Sequence, residues 1–485
     1  MFRRILHWVS LIVLIGCCRA SFGADNPASA ASQKVFRAGA ATSNITPPLG
    51  VVMDGPIMKI GPAKHVHDEL HARCLVLDDG ATRIAFAVCD TTLIAAEVVA
   101  KAKRFVQEAT GLAADHVLIS ATHTHCTPRV LNLGLGPIND EYADFLARRI
   151  ADGIRRAMNN LAPARIGWSS GQKPEFVFNR RWFVKPELAA MNPFGERVDK
   201  VMMGPPREAA LKPAGPVDPE VFVLSVQHAD GRPLALLANY ALHFVGGAPF
   251  THISADYFGM FADRVQELLG ADRQDPPFVA IMSNGTCGDV NNTDYANPAR
   301  PLPPYAKMRV VANGVADEAV RVCRSIEHHE FVPLALRTTT LQLGVRRPDA
   351  ARLEWAKRTD ANAKPGEKMS RPAIYARETM AIAEYPATLP VMLQAFRIGD
   401  LGIAAAPSEI FAETGLAIKK ESPFKSTFTI ELANGFGGYL PTPEQHSWGG
   451  YETWTARSSF LEIEAEPKIR GGILQLLREL SEGAK

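Results

Sequence analysis

The sequence predicts a single large mixed α/β domain with layered sheets and helices, and a metal site at the ends of its strands. Its composition, 47% hydrophobic and 21% charged residues, is that of an ordinary globular protein. Strand–turn–strand patterns alternate with amphipathic helices, which is typical of sheets covered by helices. Potential metal ligands follow three predicted strands, at His123, His243 and Glu409. No low-complexity linker divides residues 34–485, so these residues are expected to form one domain.

The first 33 residues are predicted to lie outside this domain. Two arginines precede an apolar stretch over residues 8–16 that is too short to span a bilayer, and small residues around Gly23 suit cleavage. Residues 1–23 are therefore predicted to be a signal peptide, and the protein to be exported, either periplasmic or secreted. The segment ending at Cys17 is similar to a bacterial lipobox, so Cys17 is a candidate lipidation site. Residues 24–33 are expected to be a flexible leader.

The first half of the domain is predicted from turn residues and apolar periodicity. Runs of β-prone residues bounded by turn-forming residues or prolines predict strands at 36–45, 73–77, 83–88 and 117–119. The turn Asp78-Asp79-Gly80 joins two of these strands into a hairpin. Apolar residues at helical spacing predict helices at 91–111 and 140–159. Gly111 suits the end of the first helix, because glycine readily adopts the conformation that terminates helices.

The second half repeats this alternation. Strands, most of them paired across glycine-containing turns, are predicted at 221–227, 233–242, 278–282, 391–398 and 401–406. Apolar periodicity predicts helices at 254–270, 304–326, 411–419 and 469–480. Residues 347–387 have the pattern of two exposed helices joined through Lys364-Pro365-Gly366, and this segment is expected to be an insertion or a lid.

Charge and cysteine content exclude several classes of protein. The formal net charge is +2, without a basic run or an acidic tail, which argues against nucleic-acid partners. Beyond residue 23, no stretch is long and apolar enough for a membrane helix. Five of the seven cysteines follow residue 23, an odd and sparse set unlike a disulfide framework. Cys74 and Cys89 flank a turn and are placed to pair, but buried free thiols are the expectation.

The segment Thr122-His123-Thr124-His125 is the clearest candidate for a functional motif. In an extended chain, residues two apart face the same side, so both imidazoles would point one way. Two imidazoles on one side of a strand end are what a divalent metal needs from a short motif. For this motif alone, a polar loop with two solvated histidines is an equal alternative. His243 and Glu409 follow two other predicted strands. If they lie beside the motif, they favour the metal site over the solvated loop.

Four segments together resemble the catalytic region of the neutral (alkaline, non-lysosomal) ceramidases. They are the opening strand 39–48, the Thr122-His123-Thr124-His125 motif, Asn239-Tyr240-Ala241-Leu242-His243 with Ile253-Ser254-Ala255-Asp256, and Ala406-Pro407-Ser408-Glu409 followed by Tyr439 and Tyr451. The resemblance extends over nearly the whole chain after the leader, at low identity. The two histidine segments and the spaced tyrosines are specific when they occur together.

The resemblance implies a zinc site. In that family, two histidines, a glutamate and a tyrosine hold one zinc, and by position these are His123, His243, Glu409 and Tyr439, with one Zn²⁺ per chain. Tyr439 and Tyr451 stand twelve residues apart, as the matching tyrosines of the family do, which sets the register. Two neutral imidazoles, a carboxylate and a phenolic oxygen suit Zn²⁺ and leave room for a water molecule. Bound zinc lowers the pKa of such a water toward ~7 and polarises a carbonyl.

The resemblance also implies roles for residues around the metal. His125 would pass a proton to the leaving nitrogen as general acid, and Tyr451 would donate a hydrogen bond to the developing oxyanion. Arg180 matches an active-site arginine whose guanidinium holds a carbonyl, carboxylate or hydroxyl group. Asp256 would orient His243 or another ligand. Taken singly, each residue has a plain structural alternative, such as a helix cap for Asp256, and only their joint occurrence in family order favours a site.

The chain departs from the family in two respects. Ceramidases carry an active-site serine in a Gln-Ser-Asn segment, and with a two-residue insertion Ser283 takes this position. Without a gap the position falls on Gly285, and Thr286 is a third candidate, so the alternatives stay open with Ser283 as the candidate catalytic residue. The chain also ends soon after Tyr451, so we do not expect the C-terminal β-sandwich domain of the ceramidases, and a long-chain ceramide is not assured as the substrate.

These residues favour an exported zinc-dependent hydrolase that cleaves the N-acyl (amide) bond of a ceramide-like or other N-acylated substrate with a metal-activated water. Two alternatives remain: a non-catalytic secreted binding protein on a ceramidase-like scaffold, and a zinc esterase acting on other acyl compounds. The expected partner is a small-molecule N-acyl or lipid substrate, with no nucleic acid and no transmembrane segment. The sequence indicates no oligomeric state.

Overall fold

The computed structural model describes residues 34–54, 59–131, 133, 139–297, 300–363 and 369–483. The predicted signal peptide and leader (1–33), including Cys17, and the Lys364-Pro365-Gly366 linker lie outside these ranges. The chain from Val35 onward forms one compact unit. Among the described helices, none has the length and apolar character needed to cross a membrane.

The described residues form the following strands in chain order: β1 (Arg37–Asn44), β2 (Val52–Asp54), β3 (Lys59–Pro62), β4 (His65–Val66), β5 (His71–Asp78), β6 (Arg83–Cys89), β7 (Val117–Ala121), β8 (Ala162–Gln172), β9 (Phe178–Asn179), β10 (Arg181–Val184), β11 (Val201–Met203), β12 (Ala210–Pro213), β13 (Glu220–His228), β14 (Pro233–Tyr240), β15 (His252–Ile253), β16 (Val279–Asn284), β17 (Val290–Asn291), β18 (Leu334–Gly344), β19 (Thr388–Ile398), β20 (Leu401–Ala405), β21 (Glu409–Ile410), β22 (Ser426–Ile430) and β23 (Tyr439–Leu440). The α-helices of the same residues are α1 (Ala96–Thr110), α2 (Asp140–Asn159), α3 (Asp256–Leu268), α4 (Ala306–Cys323), α5 (Ala350–Ala361), α6 (Arg371–Ala383), α7 (Ala412–Glu421), α8 (Pro443–Trp448) and α9 (Ala465–Glu482).

Two large sheets pack face to face at the centre of the molecule. Among the described strands, eight form a mixed sheet in the order β16-β14-β13-β8-β1-β5-β6-β7, and four form a second sheet in the order β18-β19-β20-β22. Aromatic rings from the two sheets meet between them, with centroids 5.0 Å apart for Phe86 and Phe396 and 4.7 Å for Phe222 and Phe428. Because both faces of each sheet are covered, their strands carry nearly continuous apolar runs rather than strict alternation.

Helices cover the outer faces of both sheets. The helices α1 and α2 pack on β5 and β6, while α3 and α4 pack on β13, β14 and β16, all on the face opposite the second sheet. The helix α9 covers the outer face of β19 and β20. The result is a helix–sheet–sheet–helix arrangement, which confirms the predicted mixed α/β class with layered sheets.

The eight-stranded sheet curves until its two edge strands approach each other. The side chain of Asn284, at the end of β16, donates to the carbonyl oxygen of Thr122, just after β7, at 3.0 Å. The segment after β22 lies between these edges, since Glu431 donates its backbone N–H to Asn284 and Ala121 donates to Leu432, each at 3.2 Å. The ends of β7, β14 and β20, which are far apart in sequence, therefore converge on one place.

Most predicted elements are present, with shifted ends. The helix at 140–159 has the predicted bounds, and Gly111, at φ 75°, ends α1 as expected. The helix predicted from residue 91 begins only at Ala96, because residues 91–95 form a buried segment beside the histidine motif. The long strands β8 and β18 were not predicted, and β8 contains two glycines, two serines and a proline, which hide a strand signal.

Candidate metal site

Three histidines form a group that could hold a metal ion. The ligand atoms of His123, His125 and His243 all lie within 4.8 Å of one another. The Nε2 atoms of His123 and His125 are 3.2 Å apart. Two nitrogens bound to the same tetrahedral zinc at ~2.1 Å would be about 3.4 Å apart, so this spacing is close to that of shared coordination.

Backbone carbonyls orient two of these imidazoles. The Nδ1–H group of His123 donates to the carbonyl of Thr92 at 2.8 Å, and that of His243 donates to the carbonyl of Cys287 at 3.1 Å. With Nδ1 occupied in this way, the lone pair on each Nε2 is free for a metal. Burial lowers the pKa of His123 to about 4 and that of His243 well below its usual value, so both rings are neutral, as ligands must be.

The histidine motif does not reach this geometry by strand alternation. The strand β7 ends at Ala121, and His123 has φ 68°, a left-handed conformation that is uncommon for residues other than glycine. The prediction of an extended segment was therefore wrong, although the two imidazoles do lie side by side. The backbone reversal at His123, and not the period of a strand, brings its ring against that of His125.

Glu409 supplies an oxygen between the histidines. Its Oε2 atom lies 3.5 Å from Nε2 of His123 and 3.5 Å from Nε2 of His243. The carboxylate is 3% exposed, and this oxygen is buried without a hydrogen-bond partner among the described residues. Burial raises the pKa of Glu409 to about 8. A buried carboxylate oxygen without a partner, facing two imidazole lone pairs, fits a site for a cation.

Tyr439 and Tyr451 complete this side of the site. Tyr439 is the residue paired with Glu409 between the short parallel strands β21 and β23. Its ring meets that of Tyr451 edge-on, with centroids 5.8 Å apart. Burial raises the pKa of both phenols well above the usual value. Each is therefore neutral in the absence of a cation.

Arg180 lies beside the tyrosines and is held from behind. Its guanidinium carbon is 5.4 Å from the centre of the Tyr439 ring, its Nη2 donates to the carbonyl of Gly288 at 2.9 Å, and its Nε donates to Glu452 at 2.8 Å. Arg181 donates to the other oxygen of Glu452 at 2.6 Å. Although burial acts to raise it, Arg181 and Arg180 hold the pKa of Glu452 below its usual value.

A cavity of about 1120 Å³ opens onto the group. It is lined by His125, His243, Arg180, Tyr439 and Tyr451 at the inner end, and largely by methionines, aliphatic residues and aromatic residues elsewhere. The imidazole of His125, which is half-buried, stacks on the ring of Phe244 with centroids 3.7 Å apart. The arrangement combines metal-binding groups, proton donors and an apolar space large enough for an acyl chain.

Comparison with known proteins decides the family. A profile described as "Neutral/alkaline non-lysosomal ceramidase, N-terminal" matches residues 36–297, more than half of the chain. The chain belongs to this ceramidase family. It is thereby placed in a family of hydrolases, as its sequence motifs suggested.

Individual relatives agree with this placement. Neutral ceramidase A of Dictyostelium discoideum is 23% identical over 343 residues, which are 66% of this chain and 45% of that protein, so the chain spans about half the length of this curated relative. The crystal structure of neutral ceramidase from Pseudomonas aeruginosa and that of a ceramidase complexed with C2 each superpose with a TM-score of 0.70 at 17% identity. Each superposition covers 93% of this chain, and 75% and 76% of the respective structures, and shows a shared fold.

Ser283, the predicted catalytic serine, lies away from the cavity in this structure. It lies in β16, fully buried, where its hydroxyl accepts from the Asn239 amide and donates to the carbonyl of Ala238, each at 3.0 Å. It is not among the described residues that line the cavity. Thr286 packs against Gly415 of α7 instead. The geometry gives no support to a catalytic role for Ser283, which stays a prediction from the resemblance.

Asp256 acts on the backbone after His243 rather than on an imidazole. Its carboxylate accepts the N–H groups of Val245 and Gly246 at 2.9 and 2.8 Å, and that of Tyr257 at 2.6 Å. The His243 imidazole is oriented by the Cys287 carbonyl instead. Asp256 therefore fixes the loop that leaves His243, and its orienting role for a ligand stays a prediction from the resemblance.

Several residues around the site escaped prediction. Glu431 is fully buried and accepts the backbone N–H of Ile410 at 2.8 Å and the thiol of Cys287 at 2.9 Å, so it joins the segment of Glu409 to the loop whose Cys287 carbonyl orients His243. Glu452 directly follows Tyr451 and Phe244 directly follows His243, and this adjacency is a weak sequence signal for a place near the site. Glu431 has no such neighbour. The cysteines Cys74, Cys89, Cys126, Cys287 and Cys323 are free, as expected.

Proposed function

We propose that this chain is a zinc-dependent amidohydrolase that cleaves the N-acyl bond of a ceramide-like or other N-acylated compound. The observation that carries the proposal is the buried Oε2 atom of Glu409, which has no hydrogen-bond partner among the described residues and lies 3.5 Å from the Nε2 atoms of His123 and His243. A bound cation would satisfy this oxygen together with both imidazole lone pairs. Nitrogen and oxygen donors in this number suit zinc.

His123, His243, Glu409 and Tyr439 are the proposed ligands. Membership in the ceramidase family supports this set, and the pairing of Glu409 with Tyr439 across β21 and β23 supports the phenol as its fourth member. Zinc, when bound, lowers the pKa of a water molecule and polarises the amide carbonyl. Arg180, above the Tyr439 ring, favours the phenolate form of that tyrosine by its positive charge.

The remaining residues would handle the proton and the oxyanion. His125 lines the cavity beside the ligands, and burial lowers the pKa of its imidazole well below the usual value, so the ring is neutral. It would take a proton from the attacking water and give it to the leaving nitrogen as the amide C–N bond breaks. The products are a carboxylate and a free amine. Tyr451, which also lines the cavity, would donate a hydrogen bond to the carbonyl oxygen as negative charge develops. Export of the chain is part of the proposal and is based on residues 1–23.

The test compares zinc content and amide turnover in the purified full chain and three variants. The wild type is expected to bind about one zinc per chain and to lose activity on chelation. The variant His123→Ala should lose both zinc and turnover, whereas His125→Ala should keep zinc and lose ~10²–10⁴-fold in kcat. His65→Ala, an exposed histidine outside the site, is the matched control and should change neither.

Other outcomes would change the proposal in definite ways. If the wild-type protein binds no zinc, the zinc-dependent mechanism is refuted. Loss of zinc in His125→Ala would make His125 a ligand, which its 3.2 Å distance to His123 allows, and would remove its role as acid. A zinc-loaded protein that hydrolyses esters but no amides would be an esterase, and one without any turnover would be a binding protein.

A further inference from the structure

The helix α6 forms one wall of the cavity that leads to the proposed zinc site. Arg371, Ile374 and Tyr375 of this helix line the cavity, as does Met369 just before it. Arg371 and Tyr375 are four residues apart, so they lie on the same face of the helix, one turn from each other. The predicted insertion at 347–387 thus contributes directly to the space in which a substrate would lie.

The hydroxyl of Tyr375 lacks a partner in this wall. The residue is 3% exposed, and its hydroxyl oxygen is buried without a hydrogen bond to any described group. Its ring is fixed edge-on against Trp454 and Phe194, with centroids 5.6 and 5.8 Å apart. Because burying a hydroxyl without a hydrogen bond is unfavourable, a ligand atom that pairs with it would be stabilised at this position.

The guanidinium of Arg371 is the available positive charge of the cavity. It forms no ion pair with a described residue, and its carbon atom lies 5.9 Å from the centre of the Trp454 ring. The other arginine of the cavity, Arg180, is already paired with Glu452 at 2.8 Å. The cavity carboxylate of Asp199 accepts the indole N–H of Trp454 at 2.7 Å. An anionic group on a ligand would therefore find its counter-charge at Arg371.

We propose that Arg371 and Tyr375 form a headgroup subsite for a carboxylate, so that the substrates are N-acyl amino acids. This inference rests on the proposed function. A guanidinium can give a carboxylate two parallel N–H···O bonds, and the Tyr375 hydroxyl can give a further one. The neutral alcohol headgroup of a sphingoid base could form no ion pair with Arg371, which is exposed at the cavity.

A chain of aromatic contacts connects the subsite with the reacting centre. The Trp454 ring contacts both Tyr375 and Tyr451, the latter with centroids 6.0 Å apart, and Tyr451 contacts the proposed ligand Tyr439. In the reaction, water adds its hydroxyl to the acyl carbon, the C–N bond breaks, and the nitrogen takes a proton. A fatty acid and a free amino acid leave, and no further reactant is required.

The test uses two amides with the same acyl chain, octanoylglycine and octanoylethanolamine, which differ in the charge of the headgroup. The wild type should prefer octanoylglycine by at least ~10-fold in kcat/KM. Arg371→Gln should lower kcat/KM for octanoylglycine by ~10–100-fold, mainly through KM, and leave the neutral amide within about twofold. Tyr375→Phe should have a smaller effect of the same kind. Arg377→Gln is the control, because this arginine lies on the same helix but pairs with Asp360 at 2.7 Å.

A calorimetric titration of octanoylglycine with the same proteins, in a His125→Ala background that slows turnover by ~10²–10⁴-fold, separates the two proposals. If Arg371→Gln weakens the binding of octanoylglycine but the wild-type protein hydrolyses no amide, the subsite proposal stands and the amidohydrolase proposal is refuted. Amide turnover without headgroup preference, or equal losses on both amides in Arg371→Gln, would refute the subsite and keep the amidohydrolase. Binding that is unaffected by Arg371→Gln also overturns the subsite.

Discussion

The ionisation of single residues sets the conditions under which the site can take up a metal. Burial raises the pKa of the Glu409 carboxyl to about 8 and lowers the pKa of His123 to about 4. At neutral pH without a metal, the carboxyl is therefore mostly protonated while the imidazole is neutral. The histidine is ready to bind a cation, whereas the glutamate must first lose a proton.

Zinc binding at pH 7 is accordingly expected to release about one proton from Glu409, in addition to the proton that Tyr439 loses when it binds as the phenolate. The part of the pH dependence of the affinity that comes from Glu409 should be a rise that ends above about 8, as this group ionises. Calorimetric titration of the metal-free protein in two buffers of different protonation enthalpy measures the number of protons. Glu409→Gln is the comparison and should release about one proton fewer. An affinity that does not change between pH 6 and 8 would contradict this account of Glu409.

At the scale of elements, one carboxylate fastens two short segments that carry site residues. Arg180 and Arg181, where β9 meets β10, both donate to Glu452, which directly follows Tyr451. The side chains of Arg181 and Glu452 are fully buried, and that of Arg180 nearly so. The positions of Arg180 and Tyr451 therefore depend on each other, since the segment of one is anchored through the acidic neighbour of the other.

Replacing Glu452 with glutamine should lower the free energy of unfolding by about 3–5 kcal/mol, because it leaves two buried guanidinium groups without their counter-charge. Urea unfolding followed by circular dichroism measures the change. Glu444→Gln, at an exposed position of α8, is the matched control and should stay within about 0.5 kcal/mol of wild type. A Glu452→Gln protein as stable as the control would show that the bridge contributes little.

At the scale of the whole molecule, the site is where the curved sheet nearly closes. His123 follows β7 at one edge of the eight-stranded sheet, and His243 follows β14, next to the other edge. Glu409 and Tyr439 arrive from the half of the chain that contains the second sheet. A metal held by these groups would add a cross-link between segments that also meet through the Asn284–Thr122 hydrogen bond.

Zinc is therefore expected to stabilise the folded protein as a whole. At a free concentration of 100 times its Kd, it should add about 2.7 kcal/mol to the free energy of unfolding, if it binds only the folded state. Thermal denaturation with buffered zinc and with chelator measures the effect, and His123→Ala should show no zinc-dependent shift. An equal shift in His123→Ala would place the stabilising metal elsewhere.

The sequence by itself determined the α/β class, most hairpins and helices, and the chemical types of residue that a zinc site needs. These features depend on local signals: a two-residue or 3.6-residue period, a turn glycine, or the fixed spacing between Tyr439 and Tyr451. Where the local signal was weak, as in the glycine- and serine-containing β8, the prediction failed.

Only the tertiary structure decided how the site is assembled. The left-handed backbone at His123, the oxygen of Glu409 without a partner, the buried Glu431 and the wall formed by α6 have no counterpart in local sequence patterns. The physical reason is that each follows from the packing of segments distant in sequence. The curvature of the sheet brings these segments together, and that curvature is a property of all its strands at once.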